Sequence, residues 1–318
     1  MIRFFIFLIF SFLILVRVWA TEEVYQPKKM NCEDNRSYPV HLTFDDGPQL
    51  PETQQILDTL KKNNVKATFL VTMEHFPSLA AGKQPSEDEL KLLKLIERMK
   101  IEGHTVGSHS YEHIPHSESA EKPKIQENLE KSYKVISKFN LTKPIPFRFP
   151  FGSGWFDVED PQDKIWSESV QNQVIAKGYF LFHWDIDSWD WSAIKRKALP
   201  ESVLKQICSH NGGIVLNHDI QPFTAANLQS LIDSVQMSGH QLVSHQQIIN
   251  YSKTTANLAS LQKWVQGIFF CEKPIGNFDQ IWKTCDEYGK KSSDPETGHG
   301  APPHEGSVDN DLNAAGVH

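Results

Sequence analysis

The chain has little of three things, and each shortage narrows what it can be. Cysteine is scarce. The 318 residues hold four, Cys32, Cys208, Cys271 and Cys285, and no two of them form a CxxC pair. The spacing usual for a structural zinc site is therefore missing. Long apolar runs are missing beyond the first twenty residues, so no later segment is apolar enough to span a bilayer, which takes about 20 such residues. Basic charge is also short: 32 Lys and Arg face 39 Asp and Glu, a formal net charge of −7. An acidic chain is a poor partner for nucleic acid or an anionic membrane surface. Nothing in that balance bars neutral sugars, and eight Trp offer flat faces to stack on them.

The one long apolar run is at the start. Arg3 gives a thin positive region, Phe4 to Val16 is almost wholly apolar, and Val18-Trp19-Ala20 offers small residues before a cut. This pattern predicts a secretory signal, residues 1–20, cleaved after Ala20. The run is short for a membrane span and Arg17 closes it; an uncleaved N-terminal anchor is the alternative. Losing Arg3 and Arg17 takes the formal charge from −7 to −9. A secreted protein, periplasmic or extracellular, is the expectation. Four cysteines in the exported part then suggest two disulfides. Cys271 with Cys285, close in sequence, is the preferred pairing, which leaves Cys32 with Cys208.

Residues 21–38 are polar and read as a lead-in. Short β-like runs then alternate with helical stretches. Strands are expected at Val40–Phe44, Ala67–Val71, Thr105–Ser108, Phe147–Phe149, Tyr179–Trp184, Gly213–Asn217 and Gln241–Ser244. Helices are expected at Glu52–Asn63, after the capping box Ser86–Glu89, and at Ile125–Phe139, Leu199–Ser209 and Asn227–Ser238. Alternating β and α units imply parallel strands with helical crossovers. About seven units predict an α/β fold, a distorted or partly open (β/α) barrel of about seven parallel strands over residues 39–251. Chemistry in such folds gathers where strands end. Residues 252–290, with Trp264, Trp282 and two cysteines, read as a small disulfide-stapled C-terminal appendage. Residues 291–318 have the composition of a disordered tail, and its histidines, His299, His304 and His318, read as solvated.

Five short segments carry chemistry. His41–Pro48 ends a strand on adjacent carboxylates, Asp45 and Asp46, before a Gly-Pro turn. Neighbours on a strand face opposite ways, yet a sharp turn can bring both to one site. Ser108–His113 holds His109 and His113, four apart, which face the same way if the segment turns helically. With Asp46 they make a two-His, one-carboxylate set that leaves positions open, as a catalytic metal requires. His104 and His116 flank the pair. Arg148 at a strand end can orient a carboxylate through paired hydrogen bonds. Trp184–Trp191 packs three carboxylates and three indoles into eight residues. Gly213–His218 is a buried strand that ends in an imidazole.

In order and content these segments resemble the polysaccharide deacetylases of the NodB-homology type, carbohydrate esterase family four. The family's five motifs stand here as Thr43-Phe-Asp-Asp-Gly-Pro48, His109-Ser-x-x-His113, Arg148-x-Pro-Phe151, Asp187-x-x-Asp190-Trp191 and Leu216-x-His218, within roughly Pro39 to Asn250. The resemblance implies a secreted hydrolase that removes N-acetyl groups from N-acetylglucosamine polymers, peptidoglycan first and chitin next; an acetylxylan esterase is the less favoured variant. It implies Asp45 as general base, Asp46, His109 and His113 as ligands of a divalent metal, zinc first with cobalt, manganese or nickel as substitutes, and Arg148 as the group orienting Asp45. It implies the Phe151 backbone N–H as an oxyanion donor, His218 as general acid tuned by Asp190, and Trp191 and Leu216 as walls of the acetyl pocket. Tyr is common in the family at Phe151, but the role there belongs to the backbone. The reading of another class is a glycan-binding module without catalysis.

Overall fold

The first strand, β1 (Pro39–Asp45), lies inside the sheet, between β2 and β7. The computed structural model describes residues 23–153 and 160–254. The expected signal peptide, the Cys271–Cys285 pair and the tail lie outside the described residues. The remaining strands are β2 (Thr68–Val71), β3 (Thr105–Ser108), β4 (Ile145–Phe147), β5 (Tyr179–Leu181), β6 (Ile186–Asp187), β7 (Gly213–His218) and β8 (Gln241–Leu242). They run in the order β5-β4-β3-β2-β1-β7-β6, every pairing parallel, with β8 joined to the start of β1.

This order forces the sheet to curl. β5 and β6 stand at opposite ends of the path, yet only residues 182–185 separate them in sequence. Seven flat strands at about 4.8 Å spacing would put the ends about 29 Å apart. The short link reaches roughly 18 Å at most. The two edges must therefore face each other, and the link crosses between them: Phe182 N–H donates to Phe147 O on one side (2.8 Å) and Asp185 N–H to Ile214 O on the other (3.0 Å). This is the expected partly open barrel.

The helices are α1 (Glu52–Lys62), α2 (Pro77–Ala80), α3 (Glu87–Ile101), α4 (Lys122–Ile136), α5 (Pro161–Ala176), α6 (Glu201–His210), α7 (Pro222–Met237) and α8 (His245–Thr254). In α1 the apolar positions Ile56, Leu57 and Leu60 are all buried, as their spacing predicts. The capping box before α3 forms: Ser86 Oγ accepts from Glu89 N–H at 3.2 Å, and Glu89 Oε2 from Ser86 N–H at 2.6 Å. The other oxygen of Glu89 accepts from Ser78 N–H at 2.7 Å, so one carboxylate caps the starts of α2 and α3.

The structure corrects the sequence reading at four places. β4 ends at Phe147, two residues before the expected strand end, so Arg148 stands just beyond the sheet. Tyr179–Trp184 is not one strand; it splits into β5 and the crossing link. α5 was not foreseen because its apolar residues mark no clean stripe, with Ile165 exposed and Trp166 buried beside it. Its start was legible: Asp160 Oδ1 accepts from Gln162 and Asp163 N–H, and Pro161 follows at the first helical position. α8 was also missed.

The polar lead-in is not loose. Backbone N–H groups of Tyr25, Lys28 and Met30 donate to Asn227, Ser234 and Ser238 side chains on and just after α7, at 2.7–2.9 Å. A disulfide joins Cys32 to Cys208, the preferred pairing, and fastens this strap to α6 across 176 residues of sequence. Closing so long a loop restricts the unfolded chain strongly. Replacing both cysteines by serine is therefore expected to lower the unfolding free energy by roughly 2–5 kcal/mol, read as a lower urea midpoint against the oxidised protein.

Candidate active site

All five chemical segments arrive at one end of the barrel. β1 ends at Asp45, and Asp46 then adopts φ 79°, a left-handed conformation that non-glycine residues rarely take. This twist brings two neighbours in sequence to one site. A further residue, absent from the sequence reading, holds the turn in place. Asp219, buried one residue past His218, accepts from Gly47 N–H at 2.8 Å and from the Thr53 hydroxyl at 2.7 Å. A Cβ at position 47 would collide with that carboxylate, which is why glycine follows the acids. The signal for Asp219 was its place beside a strand-end histidine, but nothing in the sequence named its partners.

Asp46, His109 and His113 converge. Asp46 Oδ1 lies 3.5 Å from Nε2 of each histidine, and the three donor atoms fall within 4.8 Å of one another. The expected helical turn is absent. Residues 109–113 form an irregular loop with Ser110 at φ 74°, and the rings still meet, centroids 5.2 Å apart. His109 Nδ1 sits 2.9 Å from Arg148 O and must donate to it, so Nε2 presents its lone pair to the site. Burial, aided by the neighbouring cationic groups, holds His109 well below the usual imidazole value, and burial lowers His113 too. Both rings are thus neutral donors. Asp46 Oδ1 is buried with no hydrogen-bond partner. Two neutral imidazoles beside an orphaned carboxylate oxygen fit a divalent cation such as zinc and leave coordination positions open. His104 and His116, the flanking candidates, point elsewhere: His104 Nδ1 accepts from Ala67 N–H, and His116 Nδ1 donates to Ile114 O.

Asp45 is held apart from that set. Arg148 Nη1 donates to its Oδ1 at 2.7 Å, while Oδ2 lies 3.8 Å from His109 Nε2. Burial pushes the Asp45 carboxyl up and Arg148 pulls it back, leaving it at about 7. His218 is the partner of Asp45 on β7 across the β1–β7 ladder. Its Nδ1 is 2.7 Å from Asp190 Oδ1, and its backbone N–H donates to Oδ2 at 2.7 Å. Burial opposes charge on His218, but the Asp190 carboxylate outweighs it, with Asp46 and Asp45 adding, and raises it to about 10. Thr224 at the start of α7 also donates to Asp190, a second contact that the motif did not reveal.

The expected wall residues differ in setting. Leu216 is buried, whereas Trp191 and Phe151 are exposed. Phe151 has φ 58° and its ring lies 4.3 Å from that of His113, so the residue borders the ligand set. The arrangement joins a cation site, a carboxylate able to take a proton and an imidazolium able to give one, which is equipment for hydrolysis.

Comparison with known proteins agrees with the geometry. The sequence pattern described as polysaccharide deacetylase matches residues 33–165. The peptidoglycan-N-acetylglucosamine deacetylase PgdA of Listeria monocytogenes is 30% identical over 206 residues, covering 64% of this chain and 37% of that protein. This chain thus spans little more than a third of that relative's length. The chitin deacetylase of Colletotrichum lindemuthianum is 30% identical over 214 residues, 64% of this chain and 77% of the other. The solved catalytic domain of a peptidoglycan N-acetylglucosamine deacetylase from Eubacterium rectale superposes with a TM-score of 0.51 at 26% identity, covering 68% of this chain and 92% of that one.

Because Asp219 fixes the turn that presents Asp46, Asp219→Ala is expected to weaken zinc binding by about ten-fold or more, as loss of a ligand's supporting partner does. Calorimetric titration of metal-stripped protein measures it. Thr53→Val, which removes one of the two bonds, is expected to give a smaller loss in the same direction.

Proposed function

This chain belongs to the polysaccharide deacetylase family, and we propose that it is a secreted, metal-dependent hydrolase that removes N-acetyl groups from N-acetylglucosamine residues of peptidoglycan. The observation that carries this reading is the division of labour at the strand ends: a base 3.8 Å from the ligand set, and an oppositely tuned acid on the adjacent strand. A glycan-binding module has no use for such a pair. Secretion is supported by the N-terminal apolar run and by the Cys32–Cys208 disulfide, which suits an oxidising compartment. The chitin deacetylase relative keeps chitin oligomers as the second substrate reading.

Asp46, His109 and His113 would hold the cation, which when bound would supply Lewis acidity to the amide carbonyl and the attacking water. Asp45 takes the proton of the attacking water. Arg148 keeps that carboxylate in one orientation and blocks it from swinging onto the ligand set. Negative charge develops on the carbonyl oxygen, and the Phe151 backbone N–H is the donor offered to it. An amine leaves poorly unless protonated. His218 delivers that proton to the amide nitrogen, and the Asp190 carboxylate stabilises its charged form until it does. The carbon–nitrogen bond breaks, giving acetate and a free amino sugar. Leu216 and Trp191 bound the space for the acetyl methyl.

The test is acetate release by purified protein from peptidoglycan, chitin oligomers and acetylxylan. Release from the first two is expected; none from any of them with zinc or cobalt supplied overturns the reading. Asp45→Asn is expected to cut turnover by about 10²–10⁴-fold while glycan binding survives; equal activity would remove Asp45 as base.

Activity against pH should be bell-shaped. It rises as Asp45 (about 7) loses its proton and falls as His218 (about 10) loses its own. A bound cation lowers both limbs. Asp190→Asn removes the charge that raises His218, so the alkaline limb should move to lower pH by roughly one unit or more while the acid limb moves far less. A pH–rate profile of kcat/KM checks this.

A further inference from the structure

Beside the acid half of the site lies a group of side chains of which the mechanism uses only Trp191, as a wall of the acetyl space. Trp189 and Trp191 flank Asp190, with ring centroids 5.4 Å apart. Asp187 holds the loop between them: its Oδ1 accepts from Trp189 N–H at 2.7 Å. Trp189 adopts φ 58°, and Trp191 keeps 51% of its surface exposed although it follows a buried residue. The result is an aromatic ledge open to solvent, one residue from the His218 partner.

A cation sits on this ledge. Lys195 Nζ lies 3.7 Å from the centre of the Trp189 ring, and its backbone N–H donates to Ser192 Oγ at 3.3 Å. Lys195 opens a run of three bases, Lys195-Arg196-Lys197, in a chain whose net charge is −7. Arg196 is engaged elsewhere, over the Phe223 ring. Some lysines of this acidic surface, Lys28, Lys61, Lys91, Lys100 and Lys205, each lie within 3.2 Å of a carboxylate, while others, Lys62 and Lys94 among them, have no such pair among the described residues. Lys195 has no such ion pair among the described residues. A cation over an indole keeps its charge and loses side-chain freedom, so it is prepared to meet an anion beside a stacked sugar.

We infer that Trp189, Trp191 and Lys195 form a subsite for a sugar unit that carries a carboxylate, which makes the enzyme select peptide-bearing peptidoglycan strands over neutral chitin. The inference rests on the deacetylase reading, because the ledge gains its meaning from its place beside His218. Chitin offers the ledge hydroxyl and N-acetyl groups alone. In peptidoglycan every N-acetylglucosamine has neighbours bearing lactyl-linked peptides with free carboxylates. The exposed Trp191 indole meets the sugar ring, and Lys195 Nζ, held over the Trp189 face, pairs with the carboxylate.

The test separates this subsite from the reaction itself. Binding of muropeptide oligomers and of neutral chitotetraose is measured by calorimetry in the Asp45→Asn protein, with and without Lys195→Glu. The preference for the carboxylated strand, taken as the ratio of the two affinities, is expected to fall about three- to ten-fold with Lys195→Glu, and raised salt should reduce it in the parent. Lys197→Glu, equal in charge but two residues from the ledge cation, should change the ratio far less. No preference in the parent, an equal loss on both ligands, or an equal effect of Lys197→Glu overturns the subsite. Acetate release by the protein with Asp45 intact is scored separately. A Lys195-dependent preference without acetate from either strand would sink the deacetylase reading and leave the subsite in place. Acetate release with no Lys195 dependence would do the reverse.

Discussion

The Arg148 guanidinium is the constraint on which barrel and site both depend. It is fully buried and makes four hydrogen bonds. Nη1 reaches Asp45 Oδ1 and Thr43 Oγ1 on β1, while Nε and Nη2 donate to the carbonyls of Phe182 and His183. Those two carbonyls belong to the link that crosses the open side of the sheet. One side chain therefore ties β1 to the closure of the barrel. Burying an ion pair costs several kcal/mol per charge and is tolerated when its remaining donors are satisfied. The planar fork of arginine can reach four acceptors on two segments at once. A lysine ammonium would keep the charge and lose that geometry.

The same burial that threatens Asp45 gives it its chemistry. Desolvation alone would leave a carboxylate protonated in the neutral range, and Arg148 alone would make it too weak a base. Their balance puts it at about 7. His218 meets the opposite pair of forces: burial favours the neutral ring, and Asp190 favours the charged one and wins. Two residues in register on neighbouring strands are thereby driven to opposite proton states, one free to accept and one ready to donate. Opposite tuning at such short range requires that the two groups be held by different partners, and they are: Arg148 holds Asp45, and Asp190 holds His218.

The sequence disclosed this site unevenly, for a physical reason. Asp45, Asp46, His109, His113, Arg148 and His218 were legible because each sits within a few residues of a strand end, where local order and residue chemistry carry the information. The parallel barrel was legible from alternation. What stayed hidden was contact between segments distant in sequence. Asp219 reaches Thr53 across 166 residues, and Thr224 reaches Asp190 across 34. The histidines were expected to align on a helix, since four-residue spacing suggests one, but Ser110 in a left-handed turn achieves the same convergence in a loop. The split of 179–184 was hidden too, because a run of aromatics looks like a strand whether it pairs or crosses.

The polar lead-in shows how far the dependence extends. Its backbone is bonded to Asn227, Ser234 and Ser238, and the Tyr25 ring packs 5.7 Å from Phe223 at the start of α7. The next residue, Thr224, holds Asp190, and Asp190 holds His218. A strap outside the barrel thus bears on the acid through a single helix. The strap also runs directly into β1, with Tyr38 N–H donating to His240 Nδ1 and Gln241 N–H to Tyr38 O, so it bears on the strand that ends at Asp45 as well, where Arg148 grips from within. The disulfide at Cys32 thus fastens a strap that leads both to α7 beside Asp190 and into β1, although it touches neither Asp45 nor His218.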